Sequence, residues 1–116
     1  MINRRRPRYI ALKIESEGIF DRRIFINKVW DSLTRLYGEY GASKAGLVLV
    51  NYAPKRGFAI LRCNHEALLM VRAATAAITS IDEKNVAVHV LAVSGTLKAL
   101  RRKISEHGRL KCDGLL

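Results

Sequence analysis

Hydrophobic positions along this chain switch between two periods, and the switch points mark its elements. Ile10, Leu12 and Ile14 alternate with other side chains over residues 9–15, which predicts a first β-strand. After Asp21 the spacing lengthens. Ile26, Val29, Trp30, Leu33, Leu36, Tyr37 and Tyr40 fall on one helical stripe, with Asp21 opening the helix and Gly38 or Gly41 ending it. Burying that stripe is expected to be a principal stabilising contribution. Residues 45–52 and 57–63 read as two strands joined by a hairpin loop, Ala53-Pro54-Lys55-Arg56. Asn64 is then positioned to cap a second helix, with Glu66 in its first turn and Ala67, Met70, Val71, Ala74, Ala77, Ile78 and Ile81 as its apolar stripe. A polar turn over 82–85 leads into a strand over 86–94, where Val86, Val88, Val90, Ala92 and Ser94 alternate with Ala87, His89, Leu91 and Val93. Gly95 breaks it, and Ser94 or Thr96 caps a last helix. That helix sets Leu97, Leu100 and Ile104 on one side and Lys98, Arg101 and Arg102 on another.

The resulting order, β-α-β-β-α-β with an extra C-terminal helix, predicts an α/β (α+β) sandwich of ferredoxin-like, RNA-recognition-like topology. Both amphipathic helices would lie on one sheet face, leaving the other for a partner, for RNA or for the last helix. At 116 residues the chain is one domain by length. The expected division is a basic arm over 1–8, the domain over 9–110 and a tail over 111–116. A chain of this size buries about two-thirds of its unfolded surface, enough for a core without staples. Cys63 and Cys112 form no C-x-x-C pair and read as reduced thiols, consistent with a cytoplasmic location. No apolar run is long enough to span a membrane, and the basic start lacks the apolar stretch of a secretory signal.

Charge changes the picture. With 21 Lys and Arg against 10 Asp and Glu, the net charge is +11 and the pI is near 10.3. Such an excess attracts a polyanion and predicts salt-dependent binding through counterion release. A membrane surface is the rival polyanion, but no basic amphipathic helix stands apart from the fold to lie on it. The candidate phosphate contacts are Arg4, Arg5 and Arg6 in the arm, Arg56 at the hairpin tip, Arg62 on the third strand, and Lys98, Arg101 and Arg102 on the last helix. The last three follow a helix N-terminus whose free N–H groups also suit phosphate. A solvated basic face accounts equally for those charges. Trp30 invites a base-stacking role, but its position within the stripe favours the core.

Catalytic chemistry is not apparent. His65, His89 and His107 lie on different elements at no metal-ligand spacing, and the cysteines do not complete a set. Glu15, Glu17 and Asp21 flank a loop and read as a solvated turn. No phosphate-binding loop, nucleophile elbow or H-E-x-x-H is present. No catalytic residue and no metal ligand is therefore expected. Strand three reads R-G-F-A-I-L-R-C from Arg56, matching the first four positions of the RNA-recognition motif. Ile60 and Cys63 stand where that motif has aromatics, and strand one offers only Tyr9. Half the stacking platform is missing, although Phe58 and Arg62 on one sheet face still offer a contact to RNA.

Taken together, the residues resemble the ribonuclease P protein component 2 family of archaea and eukaryotes. The resemblance is carried by R-Y-I-A-L-K-I from Arg8, W-D-S-L from Trp30 with Tyr37-Gly38, L-V-N-Y from Leu49, I-L-R-C from Ile60, R-A-A from Arg72 and V-S-G-T-L-K from Val93. It spans about residues 8–102. Lys98 stands where the family often has arginine, keeping the charge and losing bidentate geometry. The resemblance implies a subunit of a ribonucleoprotein that removes the 5′ leader from precursor tRNA. It implies that the RNA subunit holds the Mg²⁺ and performs the hydrolysis, with no cofactor bound by this chain. It also implies pairing with component 3, a TIM-barrel-like subunit, and self-association within a heterotetramer of two copies of each. The short chain without an acidic tail points to the archaeal branch. Three rivals remain: a free-standing single-strand RNA binder of the RNA-recognition type, an enzyme acting without RNA, and an interaction protein whose charge only aids solubility.

Overall fold

A computed structural model describes residues 6–107. Strand β1 (Pro7–Ser16) is followed by α1 (Arg22–Ser43), β2 (Val48–Ala53) and β3 (Phe58–Asn64). Helix α2 (Leu68–Ala76), the short strand β4 (Ser80–Ile81), β5 (Lys84–Ser94) and α3 (Leu97–His107) complete the chain. The sheet order is β2-β3-β1-β5-β4, with every neighbouring pair antiparallel. Because β1 and β2 both run against β3, they are parallel to each other, and α1 is the crossover between them. This is the split βαβ arrangement of the ferredoxin-like fold, as expected.

The sheet separates two apolar clusters. Ile10, Leu12, Leu61 and Val88 face α1 and α2, meeting Phe25, Val29, Leu33, Val71 and Ala74. Ala11, Phe58 and Ile60 point the other way and are covered by Leu100 and Ile104 of α3. The last helix therefore occupies the sheet face for which three occupants had been open. Leu97 contributes less to that cover and remains 37% exposed. The Lys103 ammonium donates to the Val93 carbonyl at 2.6 Å and ties the helix to β5.

Several boundaries differ from those read in the sequence. Strand β1 starts at Pro7, inside the expected arm, because Pro7 and Arg8 already pair with Asn64 and Cys63. Strand β2 starts at Val48 rather than at residue 45. The α1 stripe is rotated from the expected one: Phe25, Val29, Ser32 and Leu33 are buried, whereas Leu36, Tyr37 and Tyr40 are 48%, 40% and 74% exposed. Asp21 does cap the helix, accepting from the Ile24 N–H at 2.9 Å. Gly38 breaks it with φ 78° and ψ 168°, and a short helical piece resumes to Ser43. Tyr40 lies beyond this break, whereas Leu36 and Tyr37 precede it on the rotated, outer side of the helix. Ser32 replaces an apolar residue in the packed face because its hydroxyl donates to the Ala74 carbonyl at 2.6 Å, joining α1 to α2.

Asn64 does not cap α2. Its side-chain amide donates instead to the Lys44 carbonyl at 2.8 Å, and a 3-10 turn over His65–Ala67 precedes the helix. Of the expected α2 stripe, Ala67, Val71, Ala74, Ile78 and Ile81 are buried, whereas Met70 is partly covered and Ala77 exposed. Ile78 and Ile81 lie beyond the helix. The fifth strand, β4, was not expected. It pairs with the start of β5 across Asp82 and Glu83, which adopt φ values of 51° and 67°. In β5 a register shift opposite Ala11 and Leu12 displaces Leu91, so that Val90 and Val93 face one cluster and Leu91 and Ala92 the other. Strand β2 lies at a sheet edge, with its register shifted between Leu49 and Asn51. There the Arg22 guanidinium donates to the Leu49 carbonyl at 2.6 Å.

Candidate nucleic-acid interface

The register neighbours Tyr9 and Arg62, Arg62 and Val48, and Tyr9 and Ser94 define one end of the sheet. Three connections meet there. The Asn64 N–H donates to the Ala45 carbonyl at 2.8 Å, and the His65 N–H donates to the Arg6 carbonyl at 2.7 Å. Gly46 adopts φ +62°, and a Cβ on it would meet the Asn64 side-chain amide at 2.9 Å. The same end carries the turn into α3. A Cβ on Gly95 would stand 3.3 Å from the Arg8 guanidinium, so a side chain there would press on Arg8. The Thr96 hydroxyl accepts from the Ala99 N–H at 3.1 Å, and the Thr96 N–H contacts the Ser94 hydroxyl at 3.4 Å. The helix start is thus partly closed by the chain's own hydroxyls, which reduces the N–H groups available to an anion.

The expected contact residues divide between two ends of the molecule. Arg6 and Arg62 are exposed at this end, and exposed Lys98 follows it in the first turn of α3. Arg101 and Arg102 are exposed further along the same helix, whose other side is held to the sheet by Leu100 and Ile104. Arg4 and Arg5 lie outside the described residues. Arg56 sits at the opposite end, in a 3-10 turn over Pro54–Arg56 closed by Gly57. At about 3.3 Å per strand residue, it is roughly 20 Å along β3 from Arg62. There Lys55 and Arg56 share an open cleft of about 390 Å³ with Glu15 and Glu17. Those carboxylates offset the local positive potential.

Phe58, on which the RNA-recognition alternative would stack a base, is 0% exposed beneath α3 and is unavailable to a base in this structure. Trp30 is the side chain for which the sequence favours the core over base stacking. It does pack against the main apolar cluster. It also lines an open groove of about 490 Å³ at the basic end, with Pro7, Arg62 and Asn64 among its neighbours. Nothing in the period-3.6 pattern distinguishes a wholly buried stripe residue from one at its rim. Cys63, on the same groove, is a free buried thiol. Burial pushes it up to about 11, with Arg8 acting in the opposite direction. It therefore stays neutral near pH 7. Among the described residues no group of three or more His, Cys, Asp or Glu is arranged to hold a metal ion. No described helix is long and apolar enough to cross a membrane.

Fold and charge together define a class: a small basic ferredoxin-like protein whose exposed cations include Arg6 and Arg62 at one end of the sheet and Lys98, Arg101 and Arg102 along α3. The Rpp14/Pop5 family model matches residues 8–105. The chain is 33% identical over 106 residues to ribonuclease P protein component 2 of Pyrococcus abyssi, with 90% of each covered. It is 32% identical over 100 residues to the component 2 protein of Methanosarcina mazei, covering 86% of this chain and 84% of that one. A chain in the cryo-EM structure of yeast ribonuclease MRP shares the fold, with a TM-score of 0.67 and 18% identity over 97% of this chain and 98% of that chain. The chain belongs to the Rpp14/Pop5 family.

Proposed function

We propose that this chain is the component 2 subunit of an archaeal ribonuclease P, supporting the catalytic RNA as it removes the 5′ leader from precursor tRNA. The observation that carries the reading is the 90% mutual coverage with a ribonuclease P protein component 2. The protein's part is electrostatic. Lys98, Arg101 and Arg102, with Arg62 and the arm residues Arg4, Arg5 and Arg6, neutralise phosphates and favour the folded RNA. Arg56 is the weakest of the expected contacts, because Glu15 and Glu17 line the cleft beside it. The RNA subunit supplies the Mg²⁺ and the hydrolysis.

Component 3 docks on the outer side of the helical layer. Of the surfaces open to it, the sheet face is covered by α3, whereas Leu36, Tyr37, Tyr40 and Leu69 remain 40–78% exposed on α1 and α2. Pairing of two copies within a heterotetramer belongs to the same proposal. The test is cleavage of precursor tRNA in Mg²⁺ by a cognate ribonuclease P RNA with component 3, with and without this chain. Faster cleavage only with the chain supports the subunit role, and no change overturns it. In the same system, replacing Lys98, Arg101 and Arg102 with alanine should flatten the logarithmic salt slope by about 0.7–0.9 per lost contact.

A further inference from the structure

The groove at the basic end brings together side chains that are distant in sequence. Trp30 comes from α1, Gly46 from the connection before β2, and Arg62 and Asn64 from β3. Trp30 is half-buried, so its indole is held by the core and also borders the open groove. A ring immobilised in this way loses little further freedom when a flat partner stacks on it. Gly46 supplies no side chain, and the Asn64 amide lies over it. The Asn64 nitrogen is committed to the Lys44 carbonyl, leaving Oδ1 as the acceptor beside the groove. Arg62 is exposed at the rim, and Arg6 directly precedes the lining residue Pro7. No carboxylate lines the groove among the described residues. Its volume, about 490 Å³, falls within the roughly 300–1,000 Å³ of small-molecule sites.

We infer that this groove receives one unpaired nucleotide of the RNA, with the base against Trp30, a base amine at Asn64 Oδ1 and the phosphate on Arg62. The inference rests on the RNA-binding reading above and adds a base-contacting subsite to it. It also differs from recognition on an open sheet, because Phe58 and Ile60 lie beneath α3. The neutral Cys63 thiol beside the groove brings no negative charge to oppose a phosphate. Stacking tolerates any base and is strongest for a purine, while the Asn64 oxygen accepts from the exocyclic amine of adenine, cytosine or guanine, for which uracil has only its ring N3–H to offer.

Trp30 is the sole tryptophan of the chain, so its emission reports on this groove alone. The full chain is titrated at low salt with a short oligoadenylate, an oligouridylate and a fully paired RNA duplex. Tryptophan emission and the anisotropy of end-labelled RNA are followed in parallel. Single strands should quench the emission, oligoadenylate at lower concentration than oligouridylate, whereas the duplex should raise anisotropy without quenching. Trp30→Leu should weaken oligoadenylate binding by about five- to a hundred-fold, the range of one lost stacking contact. Arg62→Ala should weaken it by about three-fold or more and flatten its salt dependence. Thermal melting establishes that each variant folds, and the wild-type quench stands alone if Trp30→Leu does not. Single-strand binding with unchanged Trp30 emission overturns the subsite and leaves the RNA-binding reading intact. Loss of both signals overturns the two together. A response of Trp30 to component 3 but not to RNA assigns the groove to a protein and also overturns the inference.

Discussion

At one end of the sheet Arg62 lines a groove in which, among the described residues, there is no carboxylate, and Arg6 precedes its lining residue Pro7. At the other, Lys55 and Arg56 share their cleft with Glu15 and Glu17. Each end carries two basic residues that a count of charge does not tell apart. Their surroundings differ because the register of β1 against β3 sets Tyr9 beside Arg62 but Lys13 beside Phe58, carrying the acidic exit of β1 toward the Pro54–Arg56 turn. A net charge of +11 therefore says little about where a phosphate would sit. The local balance of cations and carboxylates decides that, since opposite charges within a few ångströms cancel one another's field.

The two ends also differ in how tightly they are built, and that gives the largest expected effect. A Cβ on Gly57 would stand 2.4 Å from the Ile14 carbonyl oxygen, whereas one on Gly46, at a similar positive φ, would first meet the Asn64 side chain at 2.9 Å. Gly57→Ala should destabilise the fold by about 3 kcal/mol or more, and Gly46→Ala by about 1 kcal/mol, in urea unfolding. Equal losses would erase the contrast between a turn locked by backbone and one bordered by a movable amide.

Cys63 sharpens the comparison from the basic side. Burial raises its thiol from 9.0 to about 11, so at pH 8 its alkylation, located by mass spectrometry, should be about a hundred-fold slower than that of an unfolded control. The sign for stability follows. Cys63 contributes stability fully present below pH 9, where the thiol is neutral in both states. That contribution is lost as pH rises from 9 toward 11, because the unfolded chain ionises first. Unfolding midpoints measured across that window should fall, and the fall should be smaller in Cys63→Ala.

RNA affinity gives the next effect. Arg62→Ala with Lys98→Ala should lower affinity about ten-fold, whereas Arg56→Ala should change it by less than about two-fold, measured by anisotropy at constant salt. The smallest effect is a gain. Glu15→Gln with Glu17→Gln should raise affinity about two-fold by unmasking Lys55 and Arg56. Glutamine keeps an acceptor for the Asn85 N–H that Glu17 now receives at 3.1 Å, so the loop should hold its shape. No gain on that substitution would mean that the far end lies away from the RNA.

The element order was readable because β1, α1 and β5 announce themselves by period, and Asp21, Gly95 and Thr96 by their capping and turn chemistry. Strand β4 was not, since two residues carry no period and the Asp82-Glu83 turn reaches positive φ without glycine or asparagine. The α1 stripe was legible only up to Leu33. Gly38 was read as one possible end of the helix, but not as a break after which the helix resumes, and Ser32 is buried through a hydrogen bond that hydropathy does not register. The exposed residues of the candidate interface, Arg62 and Lys98, could be nominated from charge. The groove itself could not, because the arrangement of Trp30, Gly46 and Asn64 depends on how α1, the approach to β2 and β3 come together in the fold.

The treatment of the sheet margins has a consequence for solubility. An uncovered strand edge invites another chain to add itself and start a fibre. Here β4 covers only Lys84 and Asn85 of β5, and the edge that β5 then presents is interrupted by the register shift at Leu91 and by Lys103 on the Val93 carbonyl. The other margin is irregular at Val50, with the Leu49 carbonyl already taken by Arg22. Neither offers a long flat template. A chain with a net charge of +11 is thereby guarded against strand addition, and copies that do associate are directed to side-chain surfaces rather than to a continued sheet.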